Sequence, residues 1–349
     1  MRPKLIITAL LIMLLSKVIA QGQTQTLKQG DNKDSITSVY FTNNGKNILA
    51  SSLYDKIVMW DIQTGTKIWQ LSFEGRRDER DYFVTKIYQM VLSPDGNTIA
   101  LVRDRFRVVN NTLKETEWQI VLVNLNNRQE RQIIYRGEKP ISSITFSPDN
   151  QLLAWSEYDR IHFWSVKAKT ELPSFVSPRC PTSLAFSPNG KLLAAGLTWA
   201  SSCKYDSGTE GLIIINVQNG ERVNASFGSR TFNDVTFSPD SKFLVAVPMD
   251  SQSDILVWNV ETWERVNVLK DAEVPVDRVA FSSDGDYLAS RFGIINRGIV
   301  FVWKVRSDTK PQLHRFGEGV WSINFSPDGE RLAVGTENGR IKLLRMRRV

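Results

Sequence analysis

The chain has 349 residues, 42% of them hydrophobic and 23% charged, with a formal net charge of +7. That length supports a large buried core, and the lack of any Pro-rich linker or low-complexity tract excludes a disordered scaffold. Its two histidines and two cysteines form no Cys-His cluster in the sequence.

The first segment reads as a leader. "MRPK" is a basic start, residues 5–16 form an apolar run of 12, and Val18 and Ala20 sit at the −3 and −1 positions of a small-residue cleavage site. That order predicts a signal peptide over residues 1–20, cut after Ala20, and one domain over residues 21–349. Twelve residues reach only about 18 Å as a helix, short of a hydrocarbon core near 30 Å, so no membrane span is expected after cleavage. Arg2, Lys4 and Lys17 leave with the leader and lower the formal charge from +7 to +4. The basic balance is therefore no argument for a nucleic-acid partner. An exported protein, periplasmic or extracellular, is expected.

A five-residue phrase then recurs seven times. It starts at Phe41 (FTNNG), Leu92 (LSPDG), Phe146 (FSPDN), Phe186 (FSPNG), Phe237 (FSPDS), Phe281 (FSSDG) and Phe325 (FSPDG). The starts lie 51, 54, 40, 51, 44 and 44 residues apart, the period of one supersecondary unit copied along the chain. Each copy ends a β-prone run and turns it back into a second. Pro presets φ, Asp suits the third turn position, and Gly accepts the left-handed conformation. Asn150 can replace that Gly at modest cost, and Ser241 fits less comfortably. A third strand in each unit ("KIVMWDI", "GLIIINV", "DILVWNV", "GIVFVWKV") is apolar on consecutive residues, which predicts burial on both faces. A weaker fourth strand follows, as in "TKIWQLSF" and "ERVNVLK".

Trp60-Asp61, with Trp164, Trp258 and Trp303 in the same column behind the FSPDG phrase, resembles the WD40 repeat family. The resemblance covers the chain from about residue 36 onward. It implies an all-β, seven-bladed β-propeller of four-stranded antiparallel blades. The spare β-prone stretch at residues 23–29 is expected to close the last blade. The chain departs from the family at the Gly-His pair before the first strand: His162 and His314 both lie elsewhere. The family's buried polar network is therefore expected to be incomplete, although Asp55 and Asp159 keep its Asp position.

No catalytic constellation is present, and no cofactor or metal is expected. The first reading is a non-catalytic binding scaffold with a protein partner, a polysaccharide being possible, built on a monomeric propeller. The alternative is an exported propeller enzyme of lactonase or metal-dependent hydrolase type, acting at the central channel. The second residue of each inner strand points there: Thr37, Tyr88, Ser142, Thr182, Asn233, Asp277 and Trp321. Asn233 and Asp277 would give only two oxygens to a hard cation that prefers six to eight. Loops on the channel-mouth face have grown, at residues 74–83, 103–118, 197–211, 248–254 and 291–298. The second repeat thereby collects Arg76, Arg77, Arg80, Arg103, Arg105 and Arg107 with Tyr82 and Phe106, suited to an acidic partner. Cys180 and Cys203 fall in loops on one face of one blade, and a disulfide between them is expected.

Overall fold

The computed structural model describes residues 25–346, apart from 29–33, 55, 74–80, 111, 129–130, 199–209, 224, 226, 251–253, 271–273, 306 and 308. The expected leader and cleavage site lie outside them. The described chain folds into seven antiparallel sheets in a ring, a seven-bladed β-propeller without helices. The inner strands of blades 1 to 7 are Ile36–Phe41, Asp81–Leu92, Ile141–Phe146, Cys180–Phe186, Phe232–Phe237, Arg278–Phe281 and Val320–Phe325. Each pairs with the strand after its turn. Among the described residues, six blades hold four strands and blade 4 holds three. Its outer strand is reduced to one bridge, Ile215 to Arg222, and the Val223 N–H bonds the Ile214 carbonyl at 2.9 Å. Phe227, 7% exposed, then packs edge-on against Trp258 and Trp263 and covers that side.

The repeated phrase is a hydrogen-bonding module. In all seven copies the second-residue hydroxyl (Thr42, Ser93, Ser147, Ser187, Ser238, Ser282, Ser326) donates to the Asx side chain two residues on, at 2.5–2.7 Å. The same oxygen accepts the backbone N–H five residues on, at 2.9–3.2 Å. Side chain and backbone together close the hairpin. The fifth residue is left-handed in every copy, including Asn150 (φ 58°) and Ser241 (φ 59°). Ser241 offsets its strain by accepting the Asn189 N–H of blade 4 at 3.1 Å.

The third strands are buried on both faces, as their consecutive apolar residues require. In blade 1, Val58, Trp60 and Ile62 join Leu27, Ile341 and Leu343 of blade 7, while Ile57 joins Ile87, Met90 and Leu101 of blade 2. The core is thus seven apolar seams between blades. The ring closes as expected. Gln25–Lys28 pairs antiparallel with Arg340–Arg345, Leu27 opposite Ile341. Leu27 is 2% exposed, and Gln25 Nε2 donates to the Ile62 carbonyl of blade 1.

The turn modules give the fold an acid dependence. The Ser147 and Ser326 hydroxyls hold the Asp149 and Asp328 carboxyls below the usual range. A depressed carboxyl contributes stability that is present above its unfolded pKa, near 3.9, and lost as pH falls through the lower folded value. Asn44 and Asn189 already fill this role in blades 1 and 4, so the double variant Asp149→Asn, Asp328→Asn should fold. Its melting temperature should lie below wild type at pH 7 and converge with it as pH falls below the carboxylate range. Parallel curves across that range would refute the assignment.

Candidate functional site

Six of the seven inner strands carry a β-bulge four residues before the repeated phrase, at the position called the second residue above, where the register slips, for instance between Ile36 and Ser38 or Phe232 and Asp234. A bulge re-aims side chains. Here the second residue turns toward the channel mouth in blades 1, 2, 3 and 7, while the third lines the cavity and, in blades 1, 3, 4 and 5, bonds to a neighbouring blade. The central cavity is about 480 Å³ and takes Thr37, Tyr88, Ser142 and Trp321 from the expected column. Tyr88 and Trp321 are 40% and 41% exposed. Thr182 is instead tied into the sheets, donating to the Phe232 and Gly196 carbonyls. Asn233 does not line the cavity. Asp277 turns its Oδ1 to Arg291 Nε at 3.4 Å, so the structure does not join Asn233 and Asp277 into a cation site.

The third residues, which sequence reasoning passed over, hold the blades together. The Ser38 Oγ accepts the Met90 N–H of blade 2 at 2.9 Å, and the Ser143 Oγ accepts the Leu184 N–H of blade 4 at 3.0 Å. The Ser183 Oγ accepts the Val235 N–H of blade 5 at 3.3 Å. In blade 5 the third residue is Asp234, 8% exposed. Its carboxylate accepts from the Ser183 hydroxyl at 2.6 Å and the Val279 N–H at 2.9 Å, and lies 3.4 Å from the Arg278 guanidinium. Arg291 Nη1 donates to the Val320 carbonyl of blade 7 at 2.6 Å. Burial raises the Asp277 carboxyl, against the pull of Arg291 and Arg278. Burial also pushes the Tyr40 hydroxyl, on the opposite wall, up to about 12, with the Asp234 charge adding to it. A signal was present: the third column reads Ser38, Gln89, Ser143, Ser183, Asp234, Arg278, Ser322, and its charged exceptions stand on neighbouring blades.

The expected loop at residues 103–118 is a ribbon. Thr98–Val109 and Thr112–Asn124 stay paired to the tip, together with Asp81–Leu92. The turn needs a left-handed Asn110 (φ 47°). Opposite charges face each other along the strands, Arg105 across from Glu117 and Lys86 across from Asp104, which favours pairing. Seven residues past Val102 extend the blade by roughly 22 Å. Likewise residues 291–298 form a tight hairpin between Tyr287–Ile294 and Arg297–Lys304, not a loop. Arg76, Arg77 and Arg80 lie outside the described residues. Arg103, Arg105 and Arg107 alternate along one strand and so share one face. Arg103 donates twice to Gln119, and the Arg105 guanidinium stacks 3.7 Å from the Phe83 ring. Tyr82 and Phe106 fall on the other face, where Lys86 sits 5.2 Å from the Phe106 ring. Tyr88 bridges ribbon and channel: its hydroxyl donates to Asp104 at 3.0 Å and its ring meets Trp118 at 4.9 Å. Burial, then the Asp104 charge, pushes that hydroxyl up to about 12.

Comparison with known proteins agrees with the repeat reading. The WD40 family model (WD domain, G-beta repeat) matches residues 22–61 and 310–344. Periodic tryptophan protein 2 of Arabidopsis thaliana is 28% identical over 205 residues, 58% of this chain and 21% of that protein. WD repeat-containing protein SL1-17 of Schistosoma mansoni is 27% identical over 206 residues, 58% of this chain and 61% of that protein. Protein groucho of Drosophila melanogaster is 30% identical over 110 residues, 32% of this chain and 14% of that protein. The chain thus spans under two thirds of each of these relatives. Periodic tryptophan protein 2 and groucho are intracellular nuclear proteins, which overturns the expectation of an exported, periplasmic or extracellular protein. The leader pattern is local to some twenty residues and takes no support from the propeller behind it.

The Asp234 junction yields a test of the ring. Asp234→Ala strips partners from Ser183, Val279 and Arg278 at once and should cost about 2–4 kcal/mol in urea unfolding. Asp234→Ser restores the accepting hydroxyl used in blades 1, 3 and 4 and should lose less than half of that. Equal losses in the two variants would show that the latch is not what the carboxylate supplies.

Proposed function

The chain belongs to the WD40 repeat family, and on that premise we propose that it is a non-catalytic scaffold that docks a protein partner on its channel-mouth face. The observation that carries this reading is where large apolar side chains remain exposed. Tyr54, Tyr88, Leu113, Met249, Ile295 and Trp321, each 40–71% exposed, all sit in second-to-third-strand turns or at the channel mouth. The other five, Ile68, Ile133, Val176, Val266 and Leu313, fall one each on five outer strands. Scattered single residues need no explanation, whereas a face that gathers six does. Arg103, Arg105 and Arg107 on the blade 2 ribbon add positive charge, suiting an acidic surface on the partner. The polysaccharide reading has no observation of its own. The channel-enzyme reading is disfavoured because Asp234 and Asp277 face Arg278 and Arg291.

The triple variant Tyr54→Glu, Leu113→Glu, Ile295→Glu changes three turn tips without touching the seams. Proteins retained by the full chain from its native cells should be lost with this variant. They should be kept with the outer-strand control Ile68→Glu, Leu313→Glu. Equal retention by both variants would remove this face from consideration.

The Cys180–Cys203 bond belongs to the same set of proposals. Cys180 is 9% exposed and is not a free thiol, and Cys203, the other cysteine in the sequence, lies outside the described residues. With export overturned, the bond draws no support from an oxidising compartment. Peptide mapping without reductant should recover the cross-linked pair; alkylation of both thiols would refute it.

A further inference from the structure

Tyr40 carries the one ring in its column of the channel. It stands just before the repeated phrase of blade 1, and its counterparts, from Val91 in blade 2 to Asn324 in blade 7, have none. The ring packs against the seams on both sides of blade 2. It also lines the central cavity of about 480 Å³, across from Asp234, Arg278 and Arg291. Its hydroxyl makes no hydrogen bond among the described residues. The charges of Asp234 and Arg278 both act on it from across the space.

The unspent hydrogen-bonding capacity of the charged wall lies in donors. Asp234 is already served by the Ser183 hydroxyl at 2.6 Å and the Val279 N–H at 2.9 Å. Arg278 has five N–H donors, and its one ion pair among the described residues, to Asp234, is 3.4 Å long. That length lies beyond an ordinary hydrogen bond, and the side chain is 42% exposed. Arg291 differs, being 11% exposed and engaged by the Val320 carbonyl and Asp277. Two cations and one carboxylate therefore line the space. Asp277, which faces Arg291, has its carboxyl raised by burial, which shifts the balance further toward positive charge. The rest of the lining is aromatic at Tyr88, Trp118 and Trp321, and neither indole N–H is accepted by a described residue.

We propose that the central cavity binds a carboxylate carried on a flat apolar body, with the carboxylate between the Arg278 guanidinium and the Tyr40 hydroxyl. The body lies against Tyr88, Trp118 and Trp321. A planar guanidinium matches a planar carboxylate, whereas a phosphate dianion would meet a single cation with donors to spare. The volume falls within the range of small-molecule sites, about 300–1,000 Å³. A free aromatic acid and an acidic residue of a docked protein present the same group. The site itself does not rest on the docking of a protein.

The test is calorimetric titration of the full chain at neutral pH with phenylacetate, phenylacetamide and inorganic phosphate. Phenylacetate should bind saturably and at least tenfold more tightly than either of the others. Arg278→Gln should bring acid and amide within twofold of each other. Trp321→Ala should weaken both alike and keep the preference, a pattern that general damage to the ring would not give. If Arg278→Gln fails to fold, Tyr40→Phe, which removes one oxygen and keeps the ring, should cut the preference at least threefold. Excess phenylacetate that displaces proteins retained by the full chain from its native cells assigns the carboxylate to a protein partner. Unchanged retention assigns it to a free acid. Absence of saturable binding, equal binding of acid and amide, phosphate binding as tight as the acid, or a preference that survives the folded variant would each overturn the proposal.

Discussion

Every inner strand of this ring is an edge strand. It pairs on one side only, and its other side faces the axis, where no further strand exists to accept its N–H groups. Unpaired edge groups are costly when buried and adhesive when exposed. The chain meets this constraint by bulging the strand at its second residue, so that the third residue reaches sideways to the neighbouring blade. Ser38, Ser143 and Ser183 do this with a hydroxyl, and Asp234 with a carboxylate. One device therefore satisfies the edge, joins the blades and tips the second residue toward the channel mouth. The exposure of Tyr88 and Trp321 is a by-product of how the ring holds together.

Legibility in the sequence follows distance along the chain. The seven turns could be read because their hydrogen bonds run between residues at most five apart. Burial of the third strands could be read because consecutive apolar residues leave no other reading. The latches could not, since Ser183 and Val235 are brought together only by the ring. The blade 2 ribbon was hidden for a different reason. Arg103, Arg105 and Arg107 alternating with Asp104, Phe106 and Val108 look like a solvated loop until opposite charges are placed across the strands. In blade 4, Val223 and Phe227 pack into the seam as an outer strand's inner face would, and among the described residues the pairing is one bridge. Of the candidate site, Tyr88 and Trp321 were legible from the strand pattern, while Asp234, Arg278 and Arg291 were not.

Regular and irregular positions divide the labour. Where the seven units agree, at the hydroxyl–Asx turns and the seams, the residues answer for the fold. Where one unit departs from the rest, something is left exposed that the others cover. Blade 2 departs by lengthening, and the seam between blades 5 and 6 by leaving Phe243 and Phe281 half-buried. A propeller is a scaffold whose function is not given by its fold, so such departures are where this chain's own specificity has to be sought.

Closure of blade 7 by Gln25–Lys28 also sets an order of events during synthesis. The strand that completes the ring emerges well ahead of its partner, Arg340–Arg345, at the other end of the propeller. With roughly three hundred residues between them, and elongation at about 5–20 residues per second, the early strand waits about 15–60 s for its place. Blades 1 to 6 can form as they leave the ribosome, but Leu27 and the blade 1 seam it covers stay open to water until the end. The nascent chain thus carries an unpaired β-strand beside an uncovered seam until blade 7 is made. During that interval neighbouring nascent chains on one message can exchange this strand, so a domain-swapped pair is the misassembly to which this architecture is most prone.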